Sequence, residues 1–300
     1  MSRIAYVNGS YLLHRRAAVH IEDRGYQFAD GVYEVVGVVG GHLIDEQLHL
    51  DRLMRSLGEL SISPPMSEAA LRFVMSEVIR RNHLHHGMIY MQITRGVAPR
   101  DHVFPLHAKP VLVMTARRLK MPDPMVVARG VDVITLPDQR WKRCDIKTVS
   151  LLPNVLAKQT AKKQGAYEAW LIGDDGLVTE GTATNAWILT KKNVLVTRAP
   201  DPAILNGVTR RSVMKLAESA GLMVEERGFS RKEALAAREA FLTSTTNYVM
   251  PVVHIDGKAI GDGKPGAFSQ SLRAAYLVYM DEQAGGGPGR RSAKVSRRGR

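Results

Sequence analysis

The sequence predicts a mixed α+β protein with a small α/β N-terminal domain, residues 1–119, and a larger barrel-like C-terminal domain, residues 125–283. Three observations predict this. Up to residue 119, strand patterns and helix patterns are segregated, as in an antiparallel sheet with helices on one face. Beyond residue 124, short strand patterns recur at close spacing with only two helix patterns among them, which favours a curled mixed sheet over a doubly wound one. The chain also has 300 residues, a length at which two domains are the ordinary expectation.

The elements justify themselves in order. Ile4–Val7, the turn dipeptide Asn8-Gly9 and Tyr11-Leu12 read as a hairpin. Tyr33–Val39, Gly40-Gly41 and His42–Ile44 read as another. Leu50, Leu53, Met54, Leu57 and Leu60 fall on one helical face, so the spacing predicts a helix over His49–Leu60. Ser67 is placed to cap a second helix with Leu71, Val74, Met75, Val78 and Ile79 inward. Strands are expected at Met88–Thr94 and Val111–Ala116. The two prolines of Lys120–Pro124 mark a linker. Strands then follow at Val131–Leu136, Glu168–Ile172, Ala186–Thr190, Val194–Thr197, Ala240–Thr243 and Val252–Ile255, with Asp174-Asp175-Gly176 and Asp256-Gly257 as turns. Asn154–Gln164 and Val208–Ala220 are the helices, the second closed by Gly221.

Composition narrows the class. Hydrophobic residues at 45% and charged residues at 24% exclude a disordered or fibrous chain. No apolar stretch reaches the roughly 18 residues of a membrane helix. Met1–Tyr6 lacks the apolar run of a secretory leader, and the single Cys144 excludes an internal disulfide, so a cytoplasmic protein is expected. The formal charge is +13, but the last 17 residues hold six bases and no acid, which leaves residues 1–283 at +7. Residues 284–300, rich in Gly and Arg, read as a disordered basic tail.

Several segments carry candidate chemistry. Lys147 sits where Cys144-Asp145-Ile146-Lys147 passes into an apolar run. In an apolar strand its amine would lose water and become a better nucleophile and base, although a solvated lysine is the commoner case. Glu180 stands alone among small residues in Thr179-Glu180-Gly181-Thr182, either beside a ligand or in an ordinary turn. Gly207-Val208-Thr209 opens a helix, and Thr243-Ser244-Thr245-Thr246 ends a strand; a helix start and a hydroxyl run suit a phosphate, or serve as a plain cap and loop. Arg100 and His102 share one side of an extended segment and could grip a carboxylate, or be solvated. Together these ask for pyridoxal 5'-phosphate, which needs a lysine for attachment, a partner for its ring nitrogen and a cup for its phosphate.

At this point the chain resembles a known family. The segments Asp23-Arg24-Gly25-Tyr26-Gln27-Phe28-Ala29-Asp30-Gly31-Val32-Tyr33-Glu34 through Phe241-Leu242-Thr243-Ser244-Thr245-Thr246 are similar, in order, to fold-type IV pyridoxal-phosphate enzymes, the class IV aminotransferases, over about residues 4–280. Within that family the likeness is to the D-amino-acid-specific branch. The resemblance implies that Lys147 carries the cofactor and shuttles protons, and that Glu180 pairs with its ring nitrogen. It implies that Arg52, Val208, Thr209, Ser244 and Thr245 bind its phosphate. Tyr33, Arg100 and His102 would trap the substrate carboxylate, the Arg-x-His loop arriving from a second subunit, which implies a homodimer. Ala29 departs from a common glycine, Ala183 from a serine-rich run, and Asn247-Tyr248-Val249 from the usual pocket sequence.

The implied reaction passes the amino group of a D-amino acid such as D-alanine to a 2-oxo acid such as 2-oxoglutarate. The rival on the same scaffold is a branched-chain L-aminotransferase or an aminodeoxychorismate lyase. A nucleic-acid-binding protein is a different class, supported by pI ≈ 10.0. No zinc-finger or helix-turn-helix signature accompanies that charge, so nucleic-acid contact is expected only nonspecifically, from the tail. His83, His85 and His86 cluster in a loop with no paired carboxylate, and no metal is assigned to them.

Overall fold

The computed structural model describes residues 3–285. Strands β1 (Ile4–Val7), β2 (Ser10–Leu13), β3 (Gly31–Val39), β4 (His42–Leu43), β5 (Gly87–Thr94) and β6 (Val111–Arg118) form one sheet in the order β2-β1-β6-β5-β3-β4. Every pairing in it is antiparallel. Helix α1 (Arg24–Phe28) precedes β3, and helices α2 (Glu46–Glu59) and α3 (Glu68–Arg81) cover one face. Alternate residues of β3 and β5 point into that face, where Val32, Val36, Ile89 and Met91 meet Leu50, Leu53, Leu57, Leu71 and Met75. Ser67 caps α3 as its sequence position predicts, accepting from Ala70 N at 3.3 Å.

The rest of the chain runs α4 (Pro124–Arg129), β7 (Val131–Pro137), α5 (Leu152–Lys163), β8 (Glu168–Ile172), β9 (Val178–Gly181), β10 (Asn185–Leu189), β11 (Val194–Thr197), α6 (Val208–Ser219), β12 (Met223–Glu226), α7 (Arg231–Ala236), β13 (Glu239–Ser244), β14 (Tyr248–Ile255), β15 (Lys258–Ala259) and α8 (Ala267–Gln283). The second sheet has the order β12-β11-β10-β13-β14-β7-β8-β9, with β15 added to β14. It is mixed: β12 on β11, β7 on β14 and β8 on β7 are parallel. Its end strand β9 turns directly into the central strand β10, Gly181 N donating to Thr184 O at 2.7 Å, so the sheet curls back on itself. Inside the curl lie Trp170, Phe229, Ile188, Leu242 and Ile255. Outside it, α6 and α8 pack Val213, Leu272, Tyr276 and Met280 against Trp187 and Phe241, whose rings stack at 5.5 Å. Both faces of β10 are therefore covered, which is why Ala186–Leu189 reads as an unbroken apolar run.

Several expectations need correction. Lys120–Pro124 is not irregular throughout. Pro124 opens α4, because at the first helical position its missing N–H costs nothing, and Asp123 caps the turn through Met125 N at 2.9 Å. Helix α2 starts three residues before His49, at Glu46. Strand β14 starts at Tyr248, four residues before the apolar run that suggested it. Helix α8 is absent from the expected elements, although Leu272, Tyr276 and Met280 recur every four residues along it. The tail expected over 284–300 lies outside the described residues beyond Gly285.

Candidate active site

A cavity of about 260 Å³ lies between the sheets. Tyr33 lines it from β3, Arg52 from α2, Lys147 from the loop before α5, Glu180 from β9, Val208 and Thr209 from α6, and Ser244 and Thr245 from the end of β13. Eight residues singled out in the sequence are thus brought together.

Lys147 is not in the apolar strand expected for it. Its segment is irregular and is held extended along β3 by backbone bonds: Tyr33 N donates to Lys147 O at 2.9 Å, and Val149 N donates to Gly31 O at 3.1 Å. The Lys147 amide donates to Ser56 Oγ at 3.4 Å. The side chain is half-buried, with Nζ 4.3 Å from the centroid of the Tyr33 ring. The aromatic face is attractive to an ammonium.

Glu180 is buried at the end of β9. Gly181 follows because a Cβ there would meet Thr184 Oγ1 at 2.1 Å. Arg140 Nη1 donates to Glu180 Oε1 at 2.5 Å, Asn185 Nδ2 to Oε2 at 3.0 Å, and Leu205 N to both oxygens at 3.2 Å. Burial pushes the Glu180 carboxyl above its ordinary range, while the Arg140 guanidinium and the Leu205 amide pull against it. Arg140 is itself fixed by Asp138, at 2.9 and 2.7 Å. Sequence reasoning missed Arg140: it stands in the run Arg140-Trp141-Lys142-Arg143, which reads as a solvated basic loop.

A cup for an anion forms beside them. Helix α6 has Gly207 as its N-cap with no side-chain cap, and a Cβ at Gly207 would meet Asn185 Oδ1 at 2.1 Å. Its opening residues Val208 and Thr209 face the cavity together with the hydroxyl residues Ser244 and Thr245. Arg52 completes the set and is held from behind. Its Nε and Nη2 donate to the two oxygens of Glu34 at 2.7 and 2.8 Å, and Nη1 donates to Asn206 O at 3.2 Å. His49 Nδ1 lies 2.7 Å from Glu34 Oε2. Burial alone would raise the Glu34 carboxyl, but Arg52 and His49 hold it well below the usual carboxylate range. Burial lowers His49. Glu34 and His49 were also missed, because a charge in the middle of a strand or helix pattern gives no sign of its partner.

The structure does not bring Arg100 and His102 into this cavity. Both are exposed on the loop after β5, flanking the Phe28 ring: Arg100 Cζ is 4.8 Å and the His102 ring 5.4 Å from its centroid. Arg24 holds that loop through the carbonyl oxygen of Asp101 at 2.5 Å. Around it Ile21, Tyr26, Val103 and Leu106 are exposed to between 73 and 93%. A second exposed apolar group, Leu152, Val155 and Leu156, lies at the start of α5, next to the cavity residues Leu151 and Asn154. His83, His85 and His86 are exposed, away from the cavity lining.

Known proteins are similar to this chain. The family model for amino-transferase class IV matches residues 31–255. The chain is 43% identical over 268 residues to a D-alanine aminotransferase of Bacillus licheniformis, which covers 89% of this chain and 94% of that one. It is 40% identical over 284 residues to a D-alanine aminotransferase of Listeria monocytogenes, covering 93% of this chain and 96% of that one. Among solved structures, the branched-chain amino acid aminotransferase of Escherichia coli superposes with a TM-score of 0.87 at 21% identity, over 97% of this chain and 98% of that one, a likeness of fold. The segment between β3 and β14, which builds the whole cavity, is the part the family model spans, and the chain belongs to the class IV aminotransferases.

Proposed function

We propose that this chain uses pyridoxal 5'-phosphate to transfer the amino group of a D-amino acid to a 2-oxo acid. The observation that carries the reading is the convergence of Lys147, Glu180, Arg52 and the start of α6 on one cavity. The residues fit the cofactor. A helix start without a side-chain cap, a guanidinium and two hydroxyl side chains are a donor set for a dianionic phosphate. Arg52, Val208, Thr209, Ser244 and Thr245 would hold that group, Glu180 the ring nitrogen, and Lys147 the covalent link. Bound there, the cofactor supplies a carbon that links to amines and a ring that accepts electrons from the substrate Cα–H bond.

The chain's own residues do the rest. The Lys147 amine takes the substrate Cα proton and later gives one back, acid–base work worth about 10² to 10⁴ in rate. Its fixed backbone keeps the amine on one side of the cavity, so the proton moves on one face. Glu180, supplied with donors by Arg140, Asn185 and Leu205, is the carboxyl that would face the ring nitrogen. Tyr33 stands beside the Lys147 amine, where the substrate carboxylate must be oriented.

Arg100 and His102 reach the carboxylate in a homodimer, from a second copy. Their exposure outside the chain's own cavity, on a loop rimmed with apolar residues, supports this, as does the apolar start of α5 at the cavity edge. The named D-alanine aminotransferases at 43 and 40% identity support the D-configuration. The test is the absorption spectrum of the purified holoenzyme with D-alanine and with L-leucine, each with 2-oxoglutarate as acceptor. The band shifts with D-alanine and recovers on adding acceptor. A response to L-leucine alone, or pyruvate release from aminodeoxychorismate without an amino acceptor, would overturn the reading.

A further inference from the structure

The anion cup is assembled from two helices that rest on different sheets. Arg52 comes from α2, which covers the first sheet, and Val208 and Thr209 come from the start of α6, which packs outside the second. Their spacing therefore depends on what ties one helix layer to the other. Arg52 supplies one tie itself, through Asn206 O at 3.2 Å. A second tie lies behind the cup, at Asp45.

Asp45 is the N-cap residue of α2, yet its side chain makes no cap bond. An Asp in that place usually accepts from the second or third amide of its own helix. Here φ is 55°, a left-handed bend that Asp tolerates, and the carboxylate, 7% exposed, is spent on the other layer. Its Oδ2 accepts from Ser212 Oγ of α6 at 3.0 Å. Its Oδ1 accepts from Tyr279 OH at 2.6 Å and from Gln283 Nε2 at 3.1 Å, both on α8. Asp45 N donates to Gln283 Oε1 at 2.8 Å. Burial and the bond to Asp45 push the Tyr279 hydroxyl up to about 12, so it stays a donor. Ile44, one residue earlier, joins the core of Val213, Tyr276 and Met280. A void of about 10 Å³ at this junction is lined by Asp45, Tyr276 and the cup residues Thr209 and Thr245, so the tie backs directly onto the cup.

We infer that Asp45, with Ser212, Tyr279 and Gln283, is a positioning group for the cofactor phosphate: it sets the start of α6 against Arg52 across the two layers. The inference rests on the reading of the cup as the phosphate site of pyridoxal 5'-phosphate. Ser212 is buried one turn beyond Val208 on the same face of α6, so holding its hydroxyl fixes where that helix begins. The other two partners fix Asp45 itself, which leaves one carboxylate joining α2, α6 and α8. Without the tie, α6 can shift against α2, and Arg52 no longer converges with Val208 and Thr209. Apparent affinity for a phosphate then falls with the fraction of chains whose cup is assembled. The lysine and the ring-nitrogen partner stand apart from this group. Lys147 is held along β3, and Glu180 by Arg140, Asn185 and Leu205. The tie therefore acts on the phosphate end of the cofactor and not on its ring.

The test titrates the full chain, freed of cofactor, with pyridoxal 5'-phosphate, with pyridoxal, which lacks the phosphate, and with inorganic phosphate. The visible band reports the two aldehydes, and the rise in melting temperature reports phosphate. Ser212→Ala cuts the bond to α6, Tyr279→Phe cuts one bond to α8, and both changes leave the Asp45 charge in place. A hydrogen bond to a charged group is worth about tenfold or more in an equilibrium, so the double variant should hold pyridoxal 5'-phosphate and inorganic phosphate at least about tenfold more weakly, and each single variant by less. Pyridoxal should keep its wild-type affinity in all three. Equal weakening of pyridoxal and its phosphate overturns the inference, because the group would then only support the fold. So does a lower melting temperature with every affinity unchanged. A wild-type chain that holds pyridoxal 5'-phosphate no better than pyridoxal overturns the reading of the cup, and this inference with it.

Discussion

Replacing Glu34 by Gln isolates what the buried carboxylate does for Arg52. Gln keeps the shape and loses the charge, so Arg52 is left with Asn206 O and an amide oxygen in place of a carboxylate that accepted two of its donors. Glu34 is 0% exposed, so no water replaces the lost charge. Removing one partner of a buried pair costs about 3–5 kcal/mol. At roughly 2 °C per kcal/mol for a chain of this size, the cofactor-free protein should melt about 6–10 °C lower. The loss should shrink in the holoenzyme, because a bound phosphate returns an anion to Arg52. The assay is therefore a pair of melts, without and with pyridoxal 5'-phosphate, alongside a titration of cofactor affinity.

Acid gives an independent reading of the same residues. The folded Glu34 carboxyl is held below its unfolded value, so its contribution is complete above about pH 4.3 and disappears as pH falls towards the folded value. His49 is lowered by burial, so the unfolded chain binds its proton first and stability begins to fall below about pH 6.5. In Glu34→Gln the fall below about pH 4.3 should flatten while the fall from about pH 6.5 persists. Equal melting losses with and without cofactor, together with an unchanged acid limb, would refute the idea that Glu34 acts through the charge of Arg52.

Three further outcomes are expected. Lys147→Ala should abolish the visible absorbance of the holoenzyme and nearly all turnover, read by spectrum and coupled assay. Lys147→Ala and Arg100→Ala chains, each inactive towards D-amino acids, should regain activity when refolded together. If Arg100 serves the neighbouring cavity, random pairing makes half the dimers hybrids with one intact site of two, or about a quarter of native activity; no recovery would place Arg100 in its own chain's site. Arg140→Gln removes the guanidinium that opposes the upward shift of Glu180, so the acid limb of kcat/KM should move to higher pH.

The fold was legible where one residue's neighbours are close in sequence. The hairpins, the helix capped by Ser67 and the apolar strands all rest on local pattern, and most reappear within a few residues of their expected bounds. Pro124 misled because the same residue breaks a helix inside it and starts one at its edge. Lys147 and Glu180 were legible as residue types, and the resemblance added Tyr33 and Arg52 and put the four in one site. Their supporting partners were not, because those contacts span the chain: Glu34 meets Arg52 across 18 positions, Arg140 meets Glu180 across 40, and Arg52 meets Asn206 across 154. Pattern within a window cannot report pairs at that separation.

The lysine shows how the two sheets depend on each other. Lys147 has no strand or helix of its own to fix it, and its segment is tied to β3 of the first sheet through Tyr33 N, Gly31 O and the bridge between Val32 and Thr148. The same strand presents Tyr33 to the amine and, one residue on, turns Glu34 to the opposite face to grip Arg52. Alternation along β3 therefore sets the lysine environment and the anion cup in one register. A one-residue slip of β3 against β5 would exchange the two faces, burying Tyr33 and exposing Glu34, and would dismantle both at once. Strand β3 is paired with β5 over eight consecutive residues, from Gly31↔Thr94 to Val38↔Gly87, and that continuous ladder is what opposes the slip.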